Sequence, residues 1–189
     1  SRISLVSSKD YGIKGQTLKD MASSHHAKVA TNASGFLDTD SYGNGGIASG
    51  VFIQNGKLIS GNANTKARII GFNQKHVLTL MNATAIDALN AGIQDAVEFG
   101  PFLIVNGKPA TIKGNGGWGI APRTAIAQRK DGIVLFIVID GRQPGYSLGI
   151  DMKELTNILL RYKAYNASNL DGGASSSLNI EGDLYSKPC

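Results

Sequence analysis

The spacing of apolar residues predicts three amphipathic helices in this chain. The clearest covers residues 151–162, where Asp151 and an acid three positions later form a capping-box pattern. The other two cover residues 17–26 and residues 83–90, and Asn82 is placed to cap the second of these. We therefore expect about three helices, each with one apolar face.

Runs of apolar and β-branched residues between these helices predict strands. Residues 133–139 are consecutively apolar, which predicts a central strand buried on both faces. Residues 51–60 predict a hairpin that turns at Asn55-Gly56, and the same dipeptide recurs at Asn106-Gly107. A shorter apolar approach, Tyr165–Leu170, is typical of another strand. We therefore predict an α/β (α+β) fold, a single domain with a mixed, twisted β-sheet core, several hairpins and about three helices.

The segment from Arg123 to Asp140 has the pattern of a hairpin whose strands meet at Asp131-Gly132. A two-residue turn there would pair Lys130 with Ile133, so that Arg123 faces Asp140 across the strands. The two side chains would then share a face, with Cβ atoms about 4.5–5.5 Å apart. The pair would be either a functional charge pair at a strand end or a structural ion pair that closes the hairpin.

A strand–helix–strand unit from residue 133 to residue 170 can form a right-handed crossover. This connection would place Asp140 and Asp171, which follow the two strands, at the same edge of one sheet. Rigid strand ends commonly present functional groups. We therefore expect both carboxylates to contribute to one cleft.

Two glycine-rich segments are candidates for ligand contact. Asn169–Ser177 combines one acid, two adjacent glycines and three hydroxyls, and glycine lets a ligand approach backbone N–H groups closely. The alternative is a polar hairpin turn, since Asp-Gly is a common turn dipeptide. Trp118, in the loop 113–119, can stack against a sugar ring or anchor the loop to the core.

Composition narrows the class of protein and its partners. The 189 residues, 42% hydrophobic and 17% charged, suit one globular domain that spans residues 1–189. No apolar run approaches the roughly 20 residues that cross a bilayer. The net charge of +5 favours anionic partners. Because no basic run is interleaved with aromatic residues, we expect no nucleic-acid partner. The oligomeric state does not follow from the sequence.

Four polar motifs, in their order and spacing, resemble those of the phosphodiester glycosidase domain family. They are Asn32 with Gly35-Phe36, Pro122–Ala125, Asp140–Arg142, and Asn169–Gly173 with Ser175-Ser176. The chain departs from the usual pattern at Ala33–Leu37, where many relatives carry a Gly-Phe-Phe-like turn after the asparagine, and at Ala174, where they carry a third glycine. Relatives also continue through a closing strand after the equivalent of Pro188, so truncation at the C-terminus is one expectation.

The resemblance implies that the four motifs line a site that releases a sugar from a phosphodiester. The implied catalytic residues are Asp171, Asp140, Arg123 and Arg142. The implied substrate-binding residues are Asn32, Thr124, Gly141, Asn169, Gly172, Gly173, Ser175 and Ser176. Bacterial relatives occur among exopolysaccharide and cell-envelope proteins. The implied substrate is therefore an anionic carbohydrate phosphodiester, with N-acetylglucosamine as a candidate sugar, and the implied location is extracellular or cell-envelope associated.

The residue types suit this chemistry. The leaving group is a phosphate monoester, a weak base, so charge stabilisation matters more than a general acid. Arg123 and Arg142 can hold phosphate oxygens through bidentate bonds, aided by the N–H groups of Gly172-Gly173. Either Asp171 or Asp140 would activate water or attack the anomeric carbon while the other orients an arginine, and the division of roles stays open. A 2-acetamido group on the substrate is a further candidate nucleophile.

Three alternatives belong to other classes of function. A phosphodiesterase would cleave the P–O bond instead of the C–O bond, and a non-catalytic module would bind an envelope polymer without turnover. Asp140, Asp171 and Asn169 could also chelate calcium or magnesium, since both cations prefer oxygen ligands. Arginine already supplies the counter-charge that a phosphate needs, so we expect no required cofactor.

Overall fold

The chain forms two compact units. The computed structural model describes residues 2–37 and 45–189. The N-terminal unit consists of residues 1–27 and 34–99, and the C-terminal unit consists of residues 28–33 and 100–189. Each unit contains its own β-sheet and its own apolar core.

The described residues form three helices, thirteen strands and one 3-10 turn. The helices are α1 (Leu18–Ser24), α2 (Ala85–Asn90) and α3 (Met152–Arg161), and the 3-10 turn is Gly173–Ser175. The strands are β1 (Val29–Thr31), β2 (Phe52–Gln54), β3 (Lys57–Ser60), β4 (Ala67–Asn73), β5 (Leu78–Ala83), β6 (Ile93–Glu98), β7 (Phe102–Val105), β8 (Lys108–Pro109), β9 (Arg123–Arg129), β10 (Val134–Ile139), β11 (Ala164–Asn169), β12 (Leu178–Ile180) and β13 (Asp183–Leu184). Across these ranges no helix is long and apolar enough to cross a membrane. The predicted α+β class with three helices is confirmed.

The N-terminal unit is built on a five-stranded antiparallel sheet in the order β3-β2-β6-β4-β5. Its core lies under α2, where Ala85 and Ala88 belong to one buried cluster with Ile53 and Ile69. The hairpin β2-β3 turns at Asn55-Gly56, with φ of +51° and +71°. These are the left-handed values that a type I′ turn requires. The predicted hairpin is therefore confirmed.

Helix α2 begins after Thr84 and not after Asn82. The side chain of Thr84 accepts from the N–H of Asp87 at 3.1 Å, and the Asp87 carboxylate accepts from the N–H of Thr84 at 3.1 Å. This capping box satisfies two N–H groups at once, which a lone asparagine cap does not. Asn82 instead lies inside β5, paired with Arg68. The helix is confirmed, with its cap two residues later.

The C-terminal unit is built on a five-stranded sheet in the order β10-β9-β11-β7-β8, with a smaller sheet β1-β12-β13. Leu155 and Leu159 of α3 are fully buried in one cluster with Ala125 and Ala127 of β9. Full burial of a leucine side chain stabilises the fold by about 1.5–3 kcal/mol. Helix α3 begins at the predicted Asp151 capping box, so the element that covers this sheet was correctly predicted.

The hairpin β9-β10 has a different register from the predicted one. Arg123 pairs with Ile139, one residue before Asp140. The reason is a three-residue loop: the N–H of Arg129 donates to the carbonyl of Ile133, and Gly132 adopts φ of +89°. A glycine in this conformation forms a bulge that adds one residue to the turn. The predicted pairing of Arg123 with Asp140 is therefore wrong, and the two side chains point to opposite faces.

Strand β10 is an edge strand and not the predicted central strand. Its only neighbour among the described strands is β9, and all six of its residues are half-buried. A continuous apolar run does not by itself distinguish an edge from a centre, because Leu135 and Ile137 face the core while alternate residues face away.

The crossover from β10 through α3 to β11 is confirmed in the direction of its two strands. Both strands run antiparallel to β9, which lies between them, so they run parallel to each other without pairing. Asp140 and Asp171 therefore follow the carboxyl ends of two parallel strands at the same edge of the sheet.

Candidate active site

A cleft of about 210 Å³ lies in the C-terminal unit, beside the end of β11. Its lining residues are Trp118, Ala121, Arg123, Arg142, Asn169, Asp171, Gly172, Gly173 and Ala174. The cleft therefore brings together three of the four candidate catalytic residues and three of the candidate binding residues. Asp140 does not line it.

The register of the sheet explains this convergence. Asn169 pairs with Ala125, whose side chain belongs to the core beneath α3. Because side chains alternate along a strand, Arg123 lies on the same face, two residues nearer the edge. Asp171 follows Asn169 at that edge, and Thr124, between Arg123 and Ala125, points to the other face. Three polar side chains thus end up on one side of the sheet.

Asp171 is the carboxylate of the cleft. Burial raises the pKa of Asp171 above its ordinary value, and hydrogen bonds from the Ser175 side chain and the Gly172 N–H partly oppose this rise. Its backbone is fixed on both sides, since its N–H donates to Ala33 at 3.0 Å and its carbonyl accepts from Asn32 at 2.7 Å. A carboxyl group with a raised pKa in a cleft is a candidate acid, base or nucleophile.

Asn32 supports the Asp171 turn and does not line the cleft. Its Oδ1 accepts from the Thr124 hydroxyl at 3.0 Å and from the N–H of Ser177 at 3.1 Å. Its Nδ2 donates to the carbonyl of Asp171. The structure therefore places both Asn32 and Thr124, two predicted binding residues, where they hold backbone on the far face of β9.

Arg123 is a buried arginine that holds the wall of the cleft. Its side chain is 2% exposed. Nε donates to the carbonyl of Ile150 at 3.1 Å, and Nη2 donates to the carbonyls of Gly119 and Trp118. Burial lowers the pKa of Arg123, the charge of Asp151 raises it, and the charge of Arg142 lowers it. The guanidinium thus fixes the Trp118 loop while its charge lies at the cleft.

The two arginines give the cleft a positive potential. Arg142 lies close enough to Arg123 to depress its pKa. The ion pairs found in the described part of the chain, Lys14–Asp10 and Arg129–Asp131, involve neither residue. Two like charges that have no salt bridge among the described residues favour an anionic ligand, although the more distant charge of Asp151 also acts on Arg123.

The glycine turn positions Arg142 and does not offer free N–H groups. A Cβ on Gly173, which has φ of +62°, would lie 3.2 Å from Nη1 of Arg142, so the guanidinium packs directly against this glycine. The N–H of Gly173 donates to the carbonyl of Pro122 at 3.0 Å, and that of Gly172 bonds the Asp171 carboxylate. Both N–H groups already have acceptors in this structure, and the binding of phosphate by them stays a prediction.

The remaining predicted binding residues, Gly141, Ser175 and Ser176, lie outside the lining of the cleft. Gly141 is buried where the chain passes close to Gly149, and a Cβ on Gly141 would lie 2.7 Å from the Gly149 Cα. Ser175 bonds the Asp171 side chain. Ser176 is 1% exposed, and its hydroxyl has no hydrogen-bond partner in the part of the chain that the structure describes.

Asp140 is held in a separate network. Its Oδ2 accepts from the Tyr146 hydroxyl at 3.0 Å and its Oδ1 accepts from the N–H of Lys187 at 2.9 Å. Ser147 donates to its carbonyl at 2.6 Å, and Lys187 Nζ lies 4.3 Å from the centre of the Tyr146 ring. The bond to Asp140 raises the pKa of Tyr146. Asp140 therefore joins the loop that carries Arg142 to the chain near Lys187, a link that no local sequence signal indicates.

The binding of a divalent cation by Asp140, Asp171 and Asn169 stays a prediction. Over residues 2–37 and 45–189, no three His, Cys, Asp or Glu side chains come together as a metal-binding group. Asp140 and Asp171 also do not share the cleft.

Trp118 lines the cleft with 54% of its surface exposed, which favours contact with a ligand over anchoring in the core.

The sequence matches a known protein family over most of its length. A family model described as phosphodiester glycosidase matches residues 25–189. The chain belongs to the phosphodiester glycosidase family. The SPbeta prophage-derived uncharacterized protein YomE of Bacillus subtilis is 30% identical in an alignment of 177 positions that covers 88% of this chain and 26% of that protein. The N-acetylglucosamine-1-phosphodiester alpha-N-acetylglucosaminidase of Bos taurus is 35% identical over 69 residues, 36% of this chain and 13% of that enzyme. The chain thus spans 26% or less of the length of these two relatives.

Solved structures show the same fold. The catalytic domain of zebrafish N-acetylglucosamine-1-phosphodiester alpha-N-acetylglucosaminidase, auto-inhibited by its pro-peptide, superimposes with a TM-score of 0.77 at 22% identity, covering 92% of this chain and 60% of that one. A candidate exported protein of Burkholderia pseudomallei superimposes with a TM-score of 0.71 at 14% identity, covering 98% and 67%. The α+β architecture is therefore that of the phosphodiester glycosidase family.

Proposed function

We propose that this family member is a hydrolase that releases a sugar from a sugar-1-phosphodiester. The observation that carries the proposal is the charge arrangement of the cleft, where one half-buried carboxylate, Asp171, is accompanied by Arg123 and Arg142. The arginines suit a phosphodiester, and the carboxylate suits attack at the anomeric carbon. Asp140 is not needed at the reacting atoms in this arrangement.

Arg142 and Asp171 have different roles in the proposed reaction. Arg142, whose exposed guanidinium lies on Gly173, stabilises the phosphate as the bond between C1 and the phosphate oxygen breaks. The sugar then takes the hydroxyl of a water molecule, and the phosphate monoester leaves with the other proton. Asp171 acts either as the base that activates this water or as the nucleophile that first bonds C1. A 2-acetamido group that attacks C1 would instead be stabilised by the same carboxylate.

The proposed substrate is an anionic carbohydrate of the exopolysaccharide or cell-envelope type. N-acetylglucosamine is the first sugar to test, because a curated relative is named for releasing it from a phosphodiester. An extracellular or envelope location would give access to such a polymer, and one structural neighbour is described as a candidate exported protein. The chain's net charge of +5 favours binding to an anionic polymer.

The test is incubation with a panel of sugar-1-phosphodiesters in isotopically labelled water. We expect release of one sugar with the label on its C1 oxygen, because the C–O bond is broken. Label in the phosphate would instead identify a phosphodiesterase that breaks the P–O bond. Saturable binding of the polymer without any product would identify a non-catalytic binding module. Parallel reactions with and without a chelator test the dependence on calcium or magnesium.

A further inference from the structure

Asn169 carries an unpaired acceptor in the wall of the cleft. Its side chain is 1% exposed. Nδ2 donates to the carbonyl of Gly100 at 3.0 Å, and the backbone N–H donates to the carbonyl of Pro101 at 3.1 Å. The Oδ1 atom is buried and has no hydrogen-bond partner among the described residues.

The orientation of this amide is fixed by its neighbour. The Gly100 carbonyl can only accept, so it selects the nitrogen of Asn169 and turns the oxygen away from it. An unpaired buried acceptor destabilises a fold, because its hydrogen bond to water is lost without replacement. An asparagine that leaves its oxygen unpaired is therefore suited to a donor from outside the chain.

The position of Asn169 in the cleft indicates which kind of ligand carries this donor. Asn169 lines the cleft two residues before Asp171, on the face of the sheet that carries Arg123. A sugar whose anomeric carbon lies at the Asp171 carboxylate would therefore place one of its ring substituents near Asn169. Arg123 and Arg142 line the same cleft, where they would bind the phosphate.

We propose that Asn169 determines sugar specificity, with Oδ1 accepting a hydrogen bond from one donor on the sugar ring. The donor is a ring hydroxyl or the N–H of a 2-acetamido group. The inference rests on the proposed function in taking a sugar phosphodiester as the ligand. A site with a buried acceptor rejects analogues that lack the matching donor, since the acceptor then stays unpaired.

The first experiment changes the substrate and leaves the protein intact. The substrates are N-acetylglucosamine-1-phosphodiester and its analogues without the acetamido group, the 3-hydroxyl, the 4-hydroxyl or the 6-hydroxyl. We expect one analogue to lose about 10- to 100-fold in kcat/KM. The analogue that is affected identifies the donor as N–H or hydroxyl. If no analogue loses more than threefold, the proposal is wrong.

The second experiment changes Asn169. In Asn169→Leu the discrimination against that analogue should fall below threefold, because the acceptor is gone. Asn169→Ala also removes the acceptor and places no charge against the Gly100 carbonyl, so it replaces the leucine variant if that one does not fold. Asn179→Leu is the matched control, since Asn179 is also fully buried in the C-terminal unit but does not line the cleft. Discrimination that persists in folded Asn169→Leu would overturn the proposal.

Binding of non-hydrolysable phosphonate analogues of the same series, measured by calorimetry, separates this inference from the proposed function. Discrimination in binding without hydrolysis of the parent phosphodiester would refute the hydrolase and support the role of Asn169. Hydrolysis with equal affinity and equal rates across the series would support the hydrolase and refute the role of Asn169. Absence of both binding and hydrolysis would refute both.

Discussion

Two Asp-Gly dipeptides end parallel strands at the same edge of one sheet, yet their carboxylates have different surroundings. Asp171-Gly172 follows β11, and its carboxylate lines the cleft, where burial raises its pKa. Asp140-Gly141 follows β10, and both of its carboxylate oxygens already accept hydrogen bonds, from Tyr146 and from Lys187. The first carboxylate is available to a ligand in the cleft, and the second joins two segments of the chain.

The difference shows how much a single residue of register matters. Had the β9-β10 loop contained two residues, Asp140 would face Arg123 on the side of the sheet that carries the cleft. The bulge at Gly132 gives that position to Ile139, so Asp140 points to the opposite face. An acid after an apolar strand is therefore a sound candidate for a site, but its participation depends on which face the register selects.

The largest expected effect is that of Asp171→Asn. We expect release of sugar from a sugar-1-phosphodiester to fall by about three orders of magnitude or more, because asparagine cannot carry the charge of a base or nucleophile. The measurement is single-turnover hydrolysis, with circular dichroism to confirm folding. A folded variant with near-normal turnover would remove Asp171 from the chemistry and make Asp140 the leading carboxylate.

The next effect is that of Arg142→Lys. Lysine keeps the positive charge but loses the planar fork that holds two phosphate oxygens. We expect a penalty of about 2–3 kcal/mol in transition-state stabilisation, roughly 30- to 160-fold in kcat/KM. Arg161→Lys, at the C-terminal end of α3, is the matched control and should leave the rate unchanged. Equal rates for both variants would show that Arg142 does not contact the phosphate.

A smaller effect is expected for Asp140→Asn. The amide oxygen still accepts from the N–H of Lys187, and the charge-assisted bond from the Tyr146 hydroxyl is replaced by a weaker one in which the amide nitrogen donates to that hydroxyl. We expect kcat/KM to fall less than about tenfold, mainly through KM, because the loop that carries Arg142 is less firmly held. Tyr146→Phe removes the same hydrogen bond and should behave alike. If Asp140→Asn is inactive while Tyr146→Phe is normal, Asp140 takes part in the chemistry and the contrast with Asp171 fails.

The smallest expected effect concerns stability and pH. Because burial raises the pKa of Asp171 in the folded state, the folded state binds its proton more tightly than the unfolded chain does. The neutral carboxyl therefore stabilises the fold at low pH, and this contribution is lost as the pH rises through the folded pKa. At neutral pH Asp171→Asn should unfold at an equal or higher temperature than the parent, and the difference should shrink towards acid pH. A variant that is less stable at neutral pH and gains on acidification would contradict the raised pKa.

Interactions between residues close in the sequence determined the helices and one hairpin of this protein. The capping boxes, the Asn-Gly turns and the apolar faces each involve residues within a few positions of one another, so helices α1, α2 and α3 and the hairpin β2-β3 follow from pattern alone. The four polar motifs likewise indicated the phosphodiester glycosidase family, to which the chain belongs. Arg123, Arg142, Asp171 and the glycine turn line one cleft, whereas Asp140 and Asn32, which were predicted there as well, do not line it.

Only the tertiary structure decided which of the polar residues face that cleft. Asn32 is bound to Asp171 across 139 positions, and Asp140 is bound to Lys187 across 47, distances over which sequence spacing predicts no contact. The edge position of β10 also depends on which strands pair and in what order, and the register depends on one glycine that adopts a positive φ. The strand order and the register are set by the packing of the whole sheet. Side-chain alternation along a strand leaves two possible faces for each residue, and the pairing with neighbouring strands decides which face it takes.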